Sequence, residues 1–573
     1  MTAAASDQEQ RTTPSGKNRT LRYSVVLAAT VLLTVLNGFL LRTFDVVGVP
    51  AIFVLSLLLQ FLLVILLIFS LVFVLRTPVR VVWSIVISAL RGIQGNEYVQ
   101  RVMQRFPSLA GWIQQRFSTS HPTGLLLTLA ICAVAVLVNL FANVTPAVVS
   151  RSVYAGVDRR VVNLMPNIRT PEESSFFAFF TFAASYRGII FFLLALATVG
   201  LIRRQRWLPA LFIAAYGLEA LCSQISKYAF RRPRPDETLR QLSVSGFSFP
   251  SGHALAATVI YGLLAYLLFR FVKTPMLRLL IALLAATMIV LVAVSRVYFA
   301  VHYPTDVLGG ILLGGLILTI FVTVIEMNQR YHLLNWAQLD ASVRGSLGIA
   351  FIATLAFAGI FSGQLTPLKT ATIHSPPTHV SAINSSTVQR LPHYSETLTG
   401  ARMEPINFIF VGSQKQIEQA FATAGWYKAD PPTLGNTLRE LITAAKNQQY
   451  LTAPVTPSYL DAEPQTLAFE KPTEANTLQK RHHTRIWKLN FDVKGRAVWV
   501  ATASLDQGVG IGSKVALPTH HIDPNVDRER EYIVKSLGVT TPTLIRVVGP
   551  QLGQNASGDP FFTDGQAALI QFR

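Results

Sequence analysis

Long apolar windows are the feature that most limits what this sequence can become. A helix needs about 20 predominantly apolar residues to cross a bilayer, and within hydrocarbon it must satisfy its own backbone polar groups. Such windows fall near residues 23–41, 51–75, 123–143, 187–202, 208–224, 254–271, 277–294, 307–326 and 345–362, which makes about nine spans. The segment 80–93 is shorter and interrupted by Arg91, and reads as interfacial. With 51% hydrophobic residues, 14% charged residues and a mean hydropathy of +0.41, the composition is not that of an ordinary soluble protein. The expected fold is an all-α polytopic membrane bundle followed by a C-terminal soluble α/β or α+β domain.

The formal net charge of +20 raises the question of nucleic acid, and its distribution answers it. Arg76, Arg80, Arg91, Arg101, Arg105 and Arg116 separate the second and third windows. Arg203, Arg204 and Arg206 separate the fourth and fifth, and Arg270, Lys273 and Arg278 the sixth and seventh. Basic clusters in alternate short loops are what the positive-inside rule places at the cytoplasmic face. The charge therefore reads as topology and contact with anionic lipid, with no nucleic-acid partner. The first window follows Arg11, Lys17, Arg19 and Arg22 and ends without a small-residue cleavage site, as an uncleaved signal anchor would. Cys132 and Cys222 lie inside apolar windows and read as packing residues.

With the N-terminus cytoplasmic, the loops after the fifth and seventh spans and the tail after the ninth lie outside. Three polar clusters then share that outer face: KYAFRRPRPDE (227–237), FPSGHA (249–254) and SRVYFAVHYPTD (295–306). Ionisable groups beside hydrocarbon are costly and mark a site or a pairing partner. Lys227, Arg234 and Arg296 supply three cations, and guanidinium groups bind phosphate oxygens in a planar, bidentate manner. Ser251 and Gly252 open an apolar run, where free backbone N–H groups and the helix dipole favour an anion. His302 precedes Asp306 by four residues, with Pro304 between them as a helix-start residue. Asp306 can accept the second imidazole N–H, so that neutral His302 attacks phosphorus while protonated His253 supplies the leaving oxygen with a proton. Three fixed cations provide the charge stabilisation without a metal, so neither metal nor cofactor is expected. Taken singly, RRPRP is an interfacial anchor, a lone loop histidine is solvated and a Ser-Gly pair is a cap. Their ordered convergence favours the chemical reading.

The spacing Lys227-x6-Arg234-Pro235, then Pro250-Ser251-Gly252-His253, then Ser295-Arg296-x5-His302-x3-Asp306 resembles the three-part signature of the type 2 phosphatidic acid phosphatase superfamily. That superfamily includes membrane lipid phosphatases, glucose-6-phosphatase and the vanadium haloperoxidases. No signature position is substituted, and the resemblance spans residues 150 to 326. It implies a helical bundle and a phosphohistidine on His302. It also implies phosphate binding by Lys227, Arg234, Ser251, Gly252 and Arg296, with His253 as general acid and Asp306 as the partner of His302. The segment 158–188 resembles the family's approach to its first core helix. Its aromatic run of Phe176, Phe177, Phe179, Phe180 and Phe182 reads as a lipid-facing or packing face.

The expected function is hydrolysis of a lipid phosphate or pyrophosphate by an integral-membrane phosphatase at the outer, periplasmic face of a bacterial inner membrane. Two alternatives stand beside it: phosphotransfer from the same phosphoenzyme, and a non-catalytic envelope transport or secretion factor. Halide oxidation is disfavoured because the motifs open onto apolar spans of bilayer length. The partner is a membrane lipid; protein partners are not legible.

The expected organisation is an N-terminal anchor region (1–122), a membrane phosphatase domain (123–366), a Ser/Thr/Pro-rich linker (367–396) and a soluble domain (397–573). In the last, 406–412 reads as a strand, 413–426 as a helix with a serine cap, and 485–491 with 497–505 as a hairpin turning at VKGR. Its polar concentrations are Arg481, His482 and His483, then Asp506, then His520, His521, Asp523 and Asp527. Adjacent histidines on a strand point to opposite faces, so a hydrogen-bonded role is preferred to a metal site. The HHTRIW, SLDQGVG and THHIDPNVDRERE stretches resemble the LssY-type C-terminal domain, which implies association with the envelope and no assigned chemistry.

Overall fold

A computed structural model describes residues 26–37, scattered positions between 59 and 92, 96–149, 153–331, 341–364 and 378–572 apart from 447, 478–479, 512–517 and 557. From residue 125 the membrane part runs through α1 (Leu125–Val149), α2 (Val153–Ile168), α3 (Pro171–Ala183), α4 (Tyr186–Ile202), α5 (Trp207–Phe230), α6 (Gly252–Phe271), α7 (Pro275–Tyr298), α8 (Pro304–Tyr331) and α9 (Ala341–Phe361). Among the described residues, six helices (α1 and α5 to α9) are long and apolar enough to span a bilayer. The pair α3 and α4, bent by 50°, makes a seventh if it is one span. These match the last seven expected windows. The expected count of nine is not reached, because only the shorter helix Val26–Asn37 is described in the first window. The windows 51–75 and 80–93 lie largely outside the described residues.

Local chemistry sets the helix ends. Proline opens α3, α7 and α8, where a missing N–H costs nothing. Thr170 caps α3 by accepting the Glu173 N–H at 3.2 Å. Helix α5 stops at Arg231, whose left-handed φ of +47° turns the chain back across the bundle end.

Helix α6 is the central element. Leu255, Ala257, Val259 and Leu263 on it have no exposed surface, and they join a core with Phe192, Phe212, Val292 and Ile317 from neighbouring helices. Helix α8 approaches it closely. A Cβ added at Gly310 would lie 2.6 Å from the Ser251 carbonyl oxygen, and one at Gly314 would lie 2.7 Å from Thr258 Cβ. Small residues in α8 thus let two backbones meet. Because consecutive helices reverse direction, the C-termini of α5 and α7 and the N-termini of α6 and α8 share one end of the bundle. The basic loops at 203–206 and 272–274 lie at the other end.

The C-terminal part is rich in strands. The strands β1 (Tyr394–Glu396), β2 (Arg402–Pro405), β3 (Phe408–Val411), β4 (Tyr427–Lys428), β5 (Tyr459–Leu460), β6 (Glu463–Pro464), β7 (Leu467–Thr477), β8 (Lys480–Val493), β9 (Arg496–Ile511), β10 (Thr543–Arg546) and β11 (Gln566–Gln571) form two sheets. The larger runs β10-β11-β3-β9-β8-β7-β4, with β3 and β11 parallel. The smaller runs β2-β1-β5-β6. The expected strand at 406–412 is β3. The expected helix is α10 (Gln414–Thr423), closed by a Ser413–Gln416 capping box. The expected hairpin is β8–β9, turning through Lys494 and Gly495 at φ +52° and +76°. Alternate residues of the large sheet bury on opposite faces. Ile486, Trp499 and Ala501 enter one core, and Trp487, Val498 and Val500 enter the other.

The close helix pair predicts an asymmetric response to glycine replacement. Gly310→Val should lower stability by about 1–3 kcal/mol through overpacking. Gly348→Ala, at a position with nothing within 4 Å, should leave it unchanged or better. Thermal unfolding of the two variants in one detergent checks the difference.

Candidate active site

Four helix termini and the two loops between them build the site. Helix α6 starts at Ser251, but the Ser251 hydroxyl makes no capping bond. It is buried and has no hydrogen-bond partner among the described residues. The simple cap reading of this serine therefore fails. Its backbone is held instead, with the Ser251 N–H donating to the Asp306 carbonyl at 2.9 Å. Lys227, on the last turn of α5, reaches over the start of α6. A Cβ at Gly252 would stand 3.7 Å from Lys227 Nζ and 3.5 Å from Ser223 Oγ. Arg296 ends α7 almost fully enclosed, with Nη1 donating to Thr181 Oγ1 at 3.3 Å and Nε left without a partner. Buried polar groups are ordinarily hydrogen-bonded, so an orphan hydroxyl at the start of α6 and an orphan guanidinium N–H at the end of α7 make this end of the bundle a candidate anion cradle.

His302 lies in the loop between α7 and α8 and is buried. Arg234 Nη1 donates to its Nε2 at 3.2 Å and to the Val301 carbonyl at 2.8 Å, while Arg234 Nε donates to the Gly246 carbonyl at 3.0 Å. A guanidinium can only donate, so Nε2 carries the lone pair and Nδ1 the proton. Nδ1 faces Asp306 Oδ2 at 3.5 Å, which is the right partner at more than hydrogen-bond length. Burial, with Arg234 and Arg296 nearby, pushes His302 down to about 3 against the opposing pull of Asp306. His302 is therefore a neutral imidazole throughout the physiological range, with an unprotonated Nε2 that accepts from Arg234. Arg234 is lowered to about 10 by burial and stays charged. His253, on the first turn of α6, is within electrostatic reach of Arg296, His302, Lys227 and Arg234. All eight residues expected from sequence thus meet at one end of the bundle.

The residues holding Asp306 were not foreseen. Its carboxylate is fully buried and accepts from Arg232 Nη1, from the Ser248 hydroxyl and from the Tyr303 N–H at 2.9 Å. Arg232 stacks over Tyr303 at 4.2 Å and also donates through Nη2 to Asp158 of α2 at 2.7 Å. Arg232 stood inside the RRPRP cluster, where the only sequence signal was one more basic residue. Nothing in the sequence pairs Asp158 with it across 74 positions.

In the C-terminal part the two adjacent histidines face opposite ways. His482 Nδ1 meets Glu529 at 2.9 Å and stacks on Tyr532, whereas His483 Nδ1 meets Asp506 at 3.2 Å. The Ser504 hydroxyl meets His483 Nε2 at 2.9 Å, and Arg481 pairs with Glu470 at 2.7 Å. Ser504, His483 and Asp506 form a hydroxyl–imidazole–carboxylate series, but Ser504 is only 2% exposed on a mid-sheet strand. The series is a buried polar network that fixes strand register. His521 pairs with Asp559 at 2.6 Å, and Asp527 orders Thr563 and Asp564. No group of three or more His, Cys, Asp or Glu placed to hold a metal occurs among the described residues.

Fold and site together define a polytopic helical protein with a cluster of cationic and unpartnered polar groups at one end of its bundle. The model of the PAP2 superfamily matches residues 208–330, and that of the LssY C-terminus matches 388–567. Phosphatidylglycerophosphatase B of Bacillus subtilis (strain 168) is 35% identical over 132 residues, covering 22% of this chain and 64% of the relative. Undecaprenyl-diphosphatase of Sulfolobus acidocaldarius is 31% identical over 117 residues, covering 20% and 52%. Decaprenylphosphoryl-5-phosphoribose phosphatase of Mycobacterium tuberculosis is 33% identical over 144 residues, covering 24% and 73%. The chain thus spans between half and three quarters of the length of these relatives. The crystal structure of a transmembrane PAP2 type phosphatidylglycerolphosphate phosphatase from Bacillus subtilis aligns at 26% identity. It covers 36% of this chain and 98% of its own, with a TM-score of 0.32. The chain belongs to the PAP2 superfamily and carries an LssY C-terminal region.

The cradle predicts how an oxyanion binds. Ser251→Ala and Arg296→Lys should each raise the Kd for orthovanadate by about tenfold or more, because each removes a charge-assisted or geometrically fixed donor. Calorimetric titration measures both.

Proposed function

We propose that the chain is an integral-membrane phosphatase that hydrolyses a lipid phosphate or pyrophosphate through a phosphohistidine on His302. The observation that carries this reading is the convergence of the orphan Ser251 Oγ and Arg296 Nε with Lys227 and Arg234 around a neutral imidazole whose unprotonated nitrogen is Nε2. In the proposed reaction Arg234 exchanges Nε2 for a phosphate oxygen. Nε2 then attacks phosphorus as the bond to the lipid oxygen breaks, and His253 protonates that oxygen. His253, now neutral, takes a proton from water, which attacks the phosphohistidine and releases inorganic phosphate. Lys227, Arg234, Arg296, Ser251 and the Gly252 N–H stabilise the charge on the equatorial oxygens, and no metal is required.

The lipid class is supported by the relatives, two of which are named for prenyl-linked phosphates and one for a phosphatidylglycerol phosphate. The basic loops at the opposite end of the bundle support a cytoplasmic placement of that end, and hence a periplasmic site in a bacterial inner membrane. The proposed organisation is an anchor region (1–122), a membrane domain (123–366), a linker (367–396) and a C-terminal domain (397–573), with Tyr394–Glu396 at the end of the linker already paired into that domain's smaller sheet.

Purified protein should release phosphate from a panel of lipid phosphates and pyrophosphates in the presence of EDTA. His302→Ala should lower kcat by about a thousandfold or more. Phosphate release by His302→Ala at the wild-type rate would contradict the mechanism. His253→Ala should lose about 100-fold or more on lipid substrates and least on p-nitrophenyl phosphate, whose leaving group needs no proton. Because His302 titrates near pH 3, kcat/KM should show no acid limb from it between pH 5 and 8.

A further inference from the structure

Helix α2 touches the site with one side and the C-terminal domain with the other. Asp158 is buried on it and accepts from Arg232 Nη2, from the Thr305 N–H at 3.1 Å and from the Thr305 hydroxyl. Two residues further, Arg160 pairs with Glu396 of β1, with its guanidinium against Gly400, where the φ of +90° and the lack of a side chain admit it. Another turn on, Asn163 Nδ2 donates to the Ala462 carbonyl at 3.0 Å and to Glu463 Oε1 at 2.9 Å. At about 100° per residue, Arg160 and Asn163 stand roughly 140–200° around the helix from Asp158. Val162, Met165 and Ile168 of α2 share an apolar cluster with Leu398 and Tyr459 of the C-terminal domain and with Ala300 beside His302.

The docking element is itself unusual. The β5–β6 hairpin turns through Asp461 and Ala462 at φ +48° and +69°, a conformation that favours glycine or asparagine. Strained backbone persists where the surroundings over-determine it. Here the strained tip presents the Ala462 carbonyl to Asn163.

We infer that the LssY-type domain is a built-in brace for the phosphatase centre. It clamps α2 through Glu396 and the Asp461–Ala462 hairpin, α2 holds Asp158 against Arg232, and Arg232 holds Asp306 behind His302. Asp158 and Arg232 are positioning residues that act on the nucleophile through Asp306. The inference rests on the phosphatase reading of the centre, which the brace serves.

Charge reversal in the full-length protein tests it. Arg160→Glu and Glu396→Arg should each lower kcat on phosphatidic acid micelles by about tenfold while KM stays within about twofold, and the double variant should recover most of the loss. Asp158→Asn combined with Arg160→Glu should lose little more than Asp158→Asn alone, because both break one relay. Wild-type kcat in either single reversal, failure of the double to recover, or additive losses would overturn the brace. Hydrogen exchange provides a readout independent of turnover. Residues 153–168 and 299–306 should lose protection together in the single variants and regain it in the double, while 255–267 stay protected as a folding control. Unchanged exchange at 299–306 would overturn the brace. Wild-type protein that releases no phosphate would overturn the phosphatase reading alone, leaving the exchange experiment to decide the brace.

Discussion

A fully buried carboxylate is the constraint on which the rest of the membrane domain depends. Asp306 has no exposed surface, and an isolated charge in such surroundings costs several kcal/mol or more. It is tolerated because a guanidinium, a hydroxyl and a backbone N–H converge on it from separate segments. Those segments are the turn after α5, the loop before α6 and the start of α8. Satisfying one carboxylate therefore fixes the relative positions of three elements, and with them the loop carrying His302. The glycine-lined contact between α6 and α8 serves the same end by letting the Ser251 backbone reach the Asp306 carbonyl.

Much of this was legible in the sequence. Apolar length determines the spans, and the order of three polar clusters along alternating helices is enough to bring Lys227, Ser251, His253, Arg296 and His302 to one bundle end. The signal fails where it depends on pairings that no local pattern encodes. Asp158 and Arg232 are an unremarkable acid and base in sequence, and only helix packing places α2 beside the turn after α5. The expected direct bond between His302 and Asp306 is looser than the four-residue spacing suggests, because Asp306 already satisfies three other donors. Ser251 departs from its local statistics in the opposite sense: a serine at a helix start ordinarily caps it, and this one does not.

The C-terminal region was read correctly in its short-range elements, because strand alternation and the capping box are local. Its separation of His482 from His483 follows directly from strand geometry. Its attachment to α2 was not legible, since Arg160 and Glu396 lie 236 positions apart. The domain appended to the bundle is thus tied to the centre by the helix that also supports the buried carboxylate.

Capture of the covalent intermediate tests the central claim most directly. Protein mixed with a 32P-labelled lipid phosphate, quenched rapidly in alkali where phosphohistidine survives, and digested should yield label on the peptide containing His302. His302→Ala should carry none, and His253→Ala should retain label longer, because the water step lacks its base. Label on another residue, or phosphate release with no labelled protein at any quench time, would contradict the account.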